Sequence, residues 1–195
     1  MKKIKTGILG GSFDPPHIAH IELAKAAIKA GLEEIIFMPA YQAALKDAPV
    51  SASAEDRIKM LSLATEVLDF PCEISDYEIS KGGMSYSIDT AKHLIKENPN
   101  REFYWIIGTD HLSKLKYWKD ISSLAKIVKF LCAQRGGYSA DTKEVPEGVE
   151  IKFMDFDEIE LSSTQIREAI KKSGTSNLRL DPKVVEYILE QKLYK

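Results

Sequence analysis

Short, near-continuous apolar runs recur along this chain at residues 4–9, 35–38, 103–107 and 127–132, separated by stretches with helical spacing. A strand of that kind has no polar face and must be covered on both sides. Strands buried on both faces and alternating with helices form a mostly parallel sheet, because each helix carries the chain back to start the next strand. The pattern therefore predicts an α/β fold: an open, mostly parallel sheet with helices on both faces. Residues 18–30 place Ile21, Ala24, Ala27 and Ile28 on one helical side, and Gly31 stands where a helix C-terminus takes a left-handed residue. Ser53 would cap a helix over 54–68 with Ile58, Leu61 and Val67 inward. Ser87 would cap another, running to 97, with Ile88, Ala91, Leu94 and Ile95 inward. Residues 40–52 read as a loop, 72–79 as extended, 136–148 as the loop freest to move, and 151–153 as a last strand. Two helices close the chain. One spans 162–172; the other is capped by Asp181, begins at Pro182, and gathers Val184, Val185, Ile188, Leu189 and Leu193 on one face.

With 195 residues, 44% of them hydrophobic, the chain suits one domain with a core that needs no staples. A formal net charge of −2 argues against a broad nucleic-acid footprint while leaving room for a small basic pocket. Cys72 and Cys132 form no CxxC pair, so neither a disulfide framework nor a zinc ribbon is indicated. The apolar stretch near Met1 breaks at Gly10-Gly11-Ser12, too short for a signal peptide, and no run approaches the roughly 18 residues that cross a bilayer. The expectation is a cytoplasmic protein, monomer or homodimer, with no nucleic-acid and no membrane partner.

Two segments carry chemistry. The first is GGSFDPPHIAH, from Gly10 to His20. Adjacent glycines at a strand end let the backbone approach a ligand, and the helix start that follows supplies N–H groups and a partial positive charge suited to phosphate. His17 and His20, three apart, share one helical side. The GxGxxG dinucleotide fingerprint and the GxxxxGK[ST] phosphate loop are both absent, and HxxH has no third zinc ligand nearby. The plain alternative is two surface histidines after a glycine turn. The second segment is Leu161-Ser162-Ser163-Thr164-Gln165-Ile166-Arg167. Ser162 and Gln165 fit a capping box, and Ser163 and Arg167, four apart, point a hydroxyl and a guanidinium fork away from Ile166, Ala169 and Ile170. Alone, it could be an ordinary cap followed by a solvated arginine.

Together, GGSFDPPHIAH and SSTQIR resemble the nucleotidyltransferase superfamily that carries (H/T)xGH and ISSTxxR motifs, and within it the bacterial nicotinate-nucleotide adenylyltransferase family. Ser85-Tyr86-Ser87-Ile88-Asp89-Thr90 is similar to that family's SYTxDT stretch. Ile106-Ile107-Gly108-Thr109-Asp110 with the later Trp118 is similar to IIGxDxL…W, and Ala133-Gln134-Arg135-Gly136-Gly137 to its next R-x-G. Pro182, Val185, Tyr187-Ile188 and Leu193-Tyr194 match its tail. Two departures stand out: Ala19 where the family has glycine, and Ala43-Ala44-Leu45-Lys46 where it has PPHK.

The resemblance implies a Rossmann-like fold of nucleotidyltransferase type, a single domain over residues 1–195 in which 160–195 forms a C-terminal helical segment completing the ATP site. It implies an adenylyltransferase that joins ATP and nicotinate mononucleotide into deamido-NAD and pyrophosphate, with Mg2+ arriving on ATP and no dedicated protein ligands for it. His17, His20 and Arg167 would be catalytic. Gly10, Gly11, Ser12, Phe13, Gly108, Asp110, Arg135, Ser162 and Ser163 would bind ATP, with Asp110 toward the ribose or simply capping a helix. Lys46, Tyr86, Ser87 and Trp118 would bind the acceptor, with Trp118 either stacking on the pyridine ring or lying in the core. His93 and His111 show no partners, and His93 reads as a surface residue. A related enzyme using the amide mononucleotide or phosphopantetheine, and a non-catalytic ATP sensor, are the alternatives.

Overall fold

The computed structural model describes residues 2–45, 49–134, 141–157, 159–173 and 178–195. Among the described residues there are eight strands: β1 (Ile4–Gly11), β2 (Glu34–Pro39), β3 (Gln42–Ala43), β4 (Cys72–Ile74), β5 (Met84–Ser85), β6 (Arg101–Gly108), β7 (Lys129–Gln134) and β8 (Ile151–Asp155). Between and after them lie α1 (Ile18–Lys29), α2 (Ala54–Thr65), α3 (Tyr77–Lys81), α4 (Ser87–Glu97), a 3-10 segment (Thr109–Tyr117), α5 (Ile121–Ile127), α6 (Ser163–Ser173) and α7 (Pro182–Glu190). Six strands form one sheet in the order β4-β2-β1-β6-β7-β8 with every pairing parallel, and β3 pairs with β5 in a separate parallel ribbon.

The apolar runs now have their explanation. Ile8, Ile36, Met38, Trp105, Ile107, Phe130 and Cys132 project to one side of the sheet, where Ile88, Ala91 and Leu94 of α4 and Leu124 of α5 cover them. Their neighbours Leu9, Ile35, Phe37, Tyr104, Ile106, Leu131 and Ala133 project to the other, under Ala24 and Ala27 of α1 and Leu61 of α2. Period-2 alternation between two apolar faces leaves Ile35–Met38, Phe103–Ile107 and Phe130–Ala133 without a charged residue. A third cluster joins Met60 and Ala64 of α2 to Ile166, Ile170, Val184 and Ile188, which seats α6 and α7 outside α1 and α2.

Chain order runs outward from the centre of the sheet in both directions: β1, β2, β4 one way and β6, β7, β8 the other. In such sheets ligands bind beyond the carboxyl ends of the two strands where the order reverses, here β1 and β6. Their pairing stops at Ile8↔Trp105. Beyond it β1 continues beside β2 to Gly11↔Pro39, and β6 beside β7 to Gly108↔Ala133. The two central strands therefore part, and Gly10–Gly11 and Gly108 face each other across a crevice.

Several expectations are corrected. The first strand runs through Gly11 instead of turning at Gly10, because both glycines stay in the ladder with β2. The extended stretch expected over 72–79 ends at Ile74 and gives way to α3, a five-residue helix too short for a periodic signal. Ile127 ends α5 and is not in a strand, while α5 and the 3-10 segment had no counterpart in the sequence reading. The second helix stops at Thr65, leaving Val67 exposed, and Leu189 also faces solvent. Ser87 is the first residue of α4, with Tyr86 at the cap. Of the loop expected over 136–148, residues 136–140 lie outside the described residues, and 141–148 hold turns only.

Gly7 lies in the middle of β1, and a Cβ there would sit 2.7 Å from Leu32 Cδ1 and 2.8 Å from both Ile35 Cδ1 and Ile106 Cδ1. Gly7→Ala should cost about 1–3 kcal/mol through overpacking. Urea denaturation checks it; an unchanged midpoint would mean that the side chains over β1 are not packed this tightly.

Candidate active site

The turn after β1 is held in an unusual backbone state. Phe13 has φ +49, which a non-glycine residue keeps only when its surroundings fix it. Its ring is buried, edge-on to His20 at 4.9 Å and to Phe37 at 6.1 Å. Just below, Arg57 of α2 is 1% exposed, and its Nη1 donates to the carbonyls of Ser12 at 2.8 Å and Ala40 at 2.7 Å. The Ala40 N–H in turn donates to the Gly11 carbonyl at 2.8 Å. One guanidinium thus joins the chain leaving β1 to the chain leaving β2. Burial draws its pKa below the usual arginine value, and the nearby Asp14 charge acts against that.

Asp14 is the hub. Its carboxylate, 2% exposed, accepts from the N–H groups of Ser51 at 2.7 Å and Ala52 at 3.0 Å and from the Tyr194 hydroxyl at 2.9 Å. Its own carbonyl accepts from Arg167 Nη1 at 2.8 Å, and that nitrogen lies 3.6 Å from the carboxylate. Next to it the Ser163 hydroxyl donates to the Pro15 carbonyl at 2.9 Å, and the Ile18 N–H donates to Arg179 O at 3.2 Å. The first and last parts of the chain therefore meet at one strand end. Burial and the adjacent Asp14 push the Tyr194 hydroxyl far above the ordinary tyrosine pKa, so it is a permanent donor.

His17 caps α1 and is buried; the His17 and His20 rings stack at 3.7 Å. The backbone N–H of His17 donates to His20 Nδ1 at 3.1 Å. In the neutral ring the proton must then sit on Nε2, leaving Nε2–H as the donor. Ser162 forms the expected capping box: its N–H donates to Gln165 Oε1 at 2.8 Å, and the Gln165 N–H donates to Ser162 Oγ at 3.2 Å. Arg167 Nη2 also donates to Thr164 Oγ1 at 3.2 Å.

Across the crevice, Gly108 precedes the 3-10 segment, and Asp110 is its second residue, so the cap position expected for Asp110 belongs to Gly108. A Cβ on Gly108 would lie 2.7 Å from Asp110 Oδ1. His111 Nδ1, 3.0 Å from that oxygen, is the main cause holding the Asp110 carboxyl below its usual pKa. His111 thus has a partner, as does His93, whose ring stacks on Tyr77 at 3.8 Å. Trp118 is half-buried, edge-on to Trp105 at 5.9 Å and Phe130 at 6.1 Å. Beside it, Lys119 Nζ lies 4.2 Å over the Tyr86 ring at the start of α4.

The structure brings Gly10, Gly11, Ser12, Phe13, His17, His20, Ser162, Ser163 and Arg167 to one end of the sheet, with Gly108 and Asp110 at the adjoining strand end. Tyr86, Ser87 and Trp118 group on the α4 side. Lys46 and Arg135 lie outside the described residues. No local pattern marks Arg57, Lys119 or the hub role of Asp14, which the DPP stretch alone hints at, and Tyr194 stood out only as part of the tail that matches the family. A cavity of about 400 Å³ opens at the opposite, amino-terminal ends of β6 and β7. Its Arg101 and Lys129 are paired with Glu34, Glu73 and Glu102, so it offers less free positive charge than its composition suggests.

The chain is similar to known proteins. Residues 8–169 match the cytidylyltransferase-like family model. A probable nicotinate-nucleotide adenylyltransferase of Opitutus terrae is 38% identical over 193 residues, covering 98% of both chains, and one of Listeria innocua is 41% identical over the same length and coverage. The chain belongs to the nicotinate-nucleotide adenylyltransferase family. In fold it is similar to a Plasmodium falciparum nicotinic acid mononucleotide adenylyltransferase complexed with NaAD, with a TM-score of 0.78, 22% identity and 97% of each chain covered. Membership of this adenylyltransferase family agrees with the superfamily resemblance of the two motifs and with the open parallel sheet.

Tyr194→Phe removes one donor from a buried carboxylate and should cost about 1.5–3 kcal/mol. Chemical denaturation reads the loss, and an unchanged stability would mean that the C-terminal tail does not latch the turn.

Proposed function

We propose that this chain transfers the adenylyl group of ATP to nicotinate mononucleotide, forming deamido-NAD and pyrophosphate. The observation that carries the reading is the meeting of the His17–His20 turn and the Ser162–Arg167 helix start at the carboxyl ends of β1 and β6. The acceptor's own phosphate attacks the α-phosphorus in line. With a second pKa near 6 it is mostly dianionic at neutral pH, so no general base is needed. What the protein must supply is positioning of two anions and stabilisation of charge on the departing pyrophosphate.

His20 Nε2–H and His17 face that charge as donors, and the backbone from Gly10 to Phe13 approaches the phosphates. The N-terminus of α6 with Ser162, Ser163 and Arg167 holds the outer phosphates. Ser163 and Arg167 already serve the Asp14–Pro15 backbone, so they fix the turn as well as meeting the ligand. Gly108 and Asp110 receive the ribose, and Arg135 the adenine. The acceptor lies between Tyr86 and Ser87 at the start of α4, Trp118 and the chain after β2, with its carboxylate toward the α4 N-terminus and Lys119, and Lys46 is assigned to the same ligand from its sequence position. The exposed part of Trp118 takes the pyridine ring while its buried edge stays on Trp105 and Phe130. Magnesium travels with ATP on phosphate oxygens and water. The Asp14 and Asp110 carboxylates are already engaged by protein donors, which suits that arrangement.

Pyrophosphate release measured with ATP and nicotinate mononucleotide, its amide, phosphopantetheine or no acceptor tests the reading. Turnover is expected with the acid mononucleotide above the others; a clear preference for another acceptor, or ATP binding without turnover, would overturn it. His20→Ala should lower kcat/KM by roughly 10²–10³ with the fold intact, the loss expected for one donor to transition-state charge. Near-wild-type turnover would remove His20 from the mechanism.

A further inference from the structure

Among the described residues the buried carboxylates are Asp14 and Glu78. Asp14 organises the phosphate side. Glu78, on α3 and 7% exposed, takes no part in the chemistry above. Burial lifts its pKa above the usual glutamate value, while hydrogen bonds from Thr90 and Ser85 and the charge of Lys81 act in the opposite direction.

Its contacts are directed. Thr90 Oγ1, itself 1% exposed in the first turns of α4, lies 2.5 Å from Glu78 Oε1 and donates to it. Ser85 closes β5, and its hydroxyl oxygen accepts from the Tyr41 N–H at 3.1 Å. Gln42↔Met84 and Ala43↔Ser85 then pair β3 with β5. Gly82 and Gly83, at φ +69 and +68, turn the chain between α3 and β5 through a conformation that few other residues adopt. Glu78 thereby joins α3 directly to the start of α4, while Ser85 and the β3–β5 pairing bring in the chain after β2. An apolar side chain would fill the same space without the desolvation cost of a carboxylate; what the acid adds is a fixed direction.

We propose that Glu78, acting through Thr90 and Ser85, is a positioning residue for the acceptor substrate, setting the distance between the start of α4 and the loop after β2. This rests on the acceptor lying between those two segments. Asp14 and Glu78 then divide the labour, one holding the ATP half and the other the acceptor half.

The test uses the full chain in steady-state assays with ATP and nicotinate mononucleotide. Thr90→Val removes the donor at nearly constant shape. It should raise the acceptor KM roughly tenfold, as for one hydrogen bond to a charged group, and leave the ATP KM and kcat within about twofold. Glu78→Gln keeps an accepting oxygen and should stay within about threefold of wild type, whereas Glu78→Ala should match or exceed Thr90→Val. The double variant Glu78→Ala/Thr90→Val should be no worse than Glu78→Ala alone, since both act through one contact. Equal rises in both KM values, or wild-type values in Thr90→Val, would overturn the proposal. If Glu78→Ala does not fold, Thr90→Val and Glu78→Gln decide the matter between them. Amide exchange without substrate, at the Tyr41 and Thr90 N–H groups, separates this proposal from the acceptor assignment. Faster exchange in Thr90→Val supports the tether even if nicotinate mononucleotide proves not to be the acceptor, and unchanged exchange refutes it.

Discussion

A carboxylate buried at the end of the first strand holds this molecule's two ends together. Asp14 draws two backbone N–H groups from the chain just before α2 and one hydroxyl from the C-terminal tail, while its carbonyl takes Arg167. Each hydrogen bond to such a buried charge is typically worth about 1.5–3 kcal/mol, so the arrangement tolerates few changes. It adds to the apolar packing of Ile166 and Ile170 in seating α6, whose Ser163 hydroxyl reaches the Pro15 carbonyl. Arg57 performs a similar service one layer below, tying the chain after β1 to the chain after β2 with two bonds from one nitrogen.

The chemistry asked of this scaffold is modest. Because the attacking phosphate is already ionised, the enzyme supplies place and charge and no proton-abstracting pair. Rigid holders suit that task better than mobile catalysts. The stacked imidazoles, the capping box at Ser162 and the strained Phe13 are all held by bonds within the protein before any ligand arrives. Preorganised donors of this kind need little rearrangement when charge moves, which is where their effect on rate originates.

The central strands were readable because burial on both faces leaves runs of apolar residues that no amphipathic helix would show. The two motifs were readable because each is contiguous and each sits at a helix start. What escaped was short or remote. Helix α3 has five residues, and the 3-10 segment and α5 follow tertiary contacts more than local pattern. The partners of Asp14 stand 37, 38 and 180 residues away, a separation that no local period encodes. Glu78 lies in a stretch expected to be extended, and no local pattern marks its burial on α3. His93 found its neighbour Tyr77 only through the packing of α3 against α4, whereas the partner of His111 is the adjacent Asp110.

The central claim is that one triphosphate is held jointly by both ends of the chain. A crystal structure with a non-hydrolysable ATP analogue tests it most directly. The phosphates should lie within hydrogen-bond reach of His20 Nε2 on one side and of the α6 start on the other, with Asp14 still bonded to Tyr194. An analogue touching only one of those segments, or seated in the cavity at the strand starts, would contradict the account.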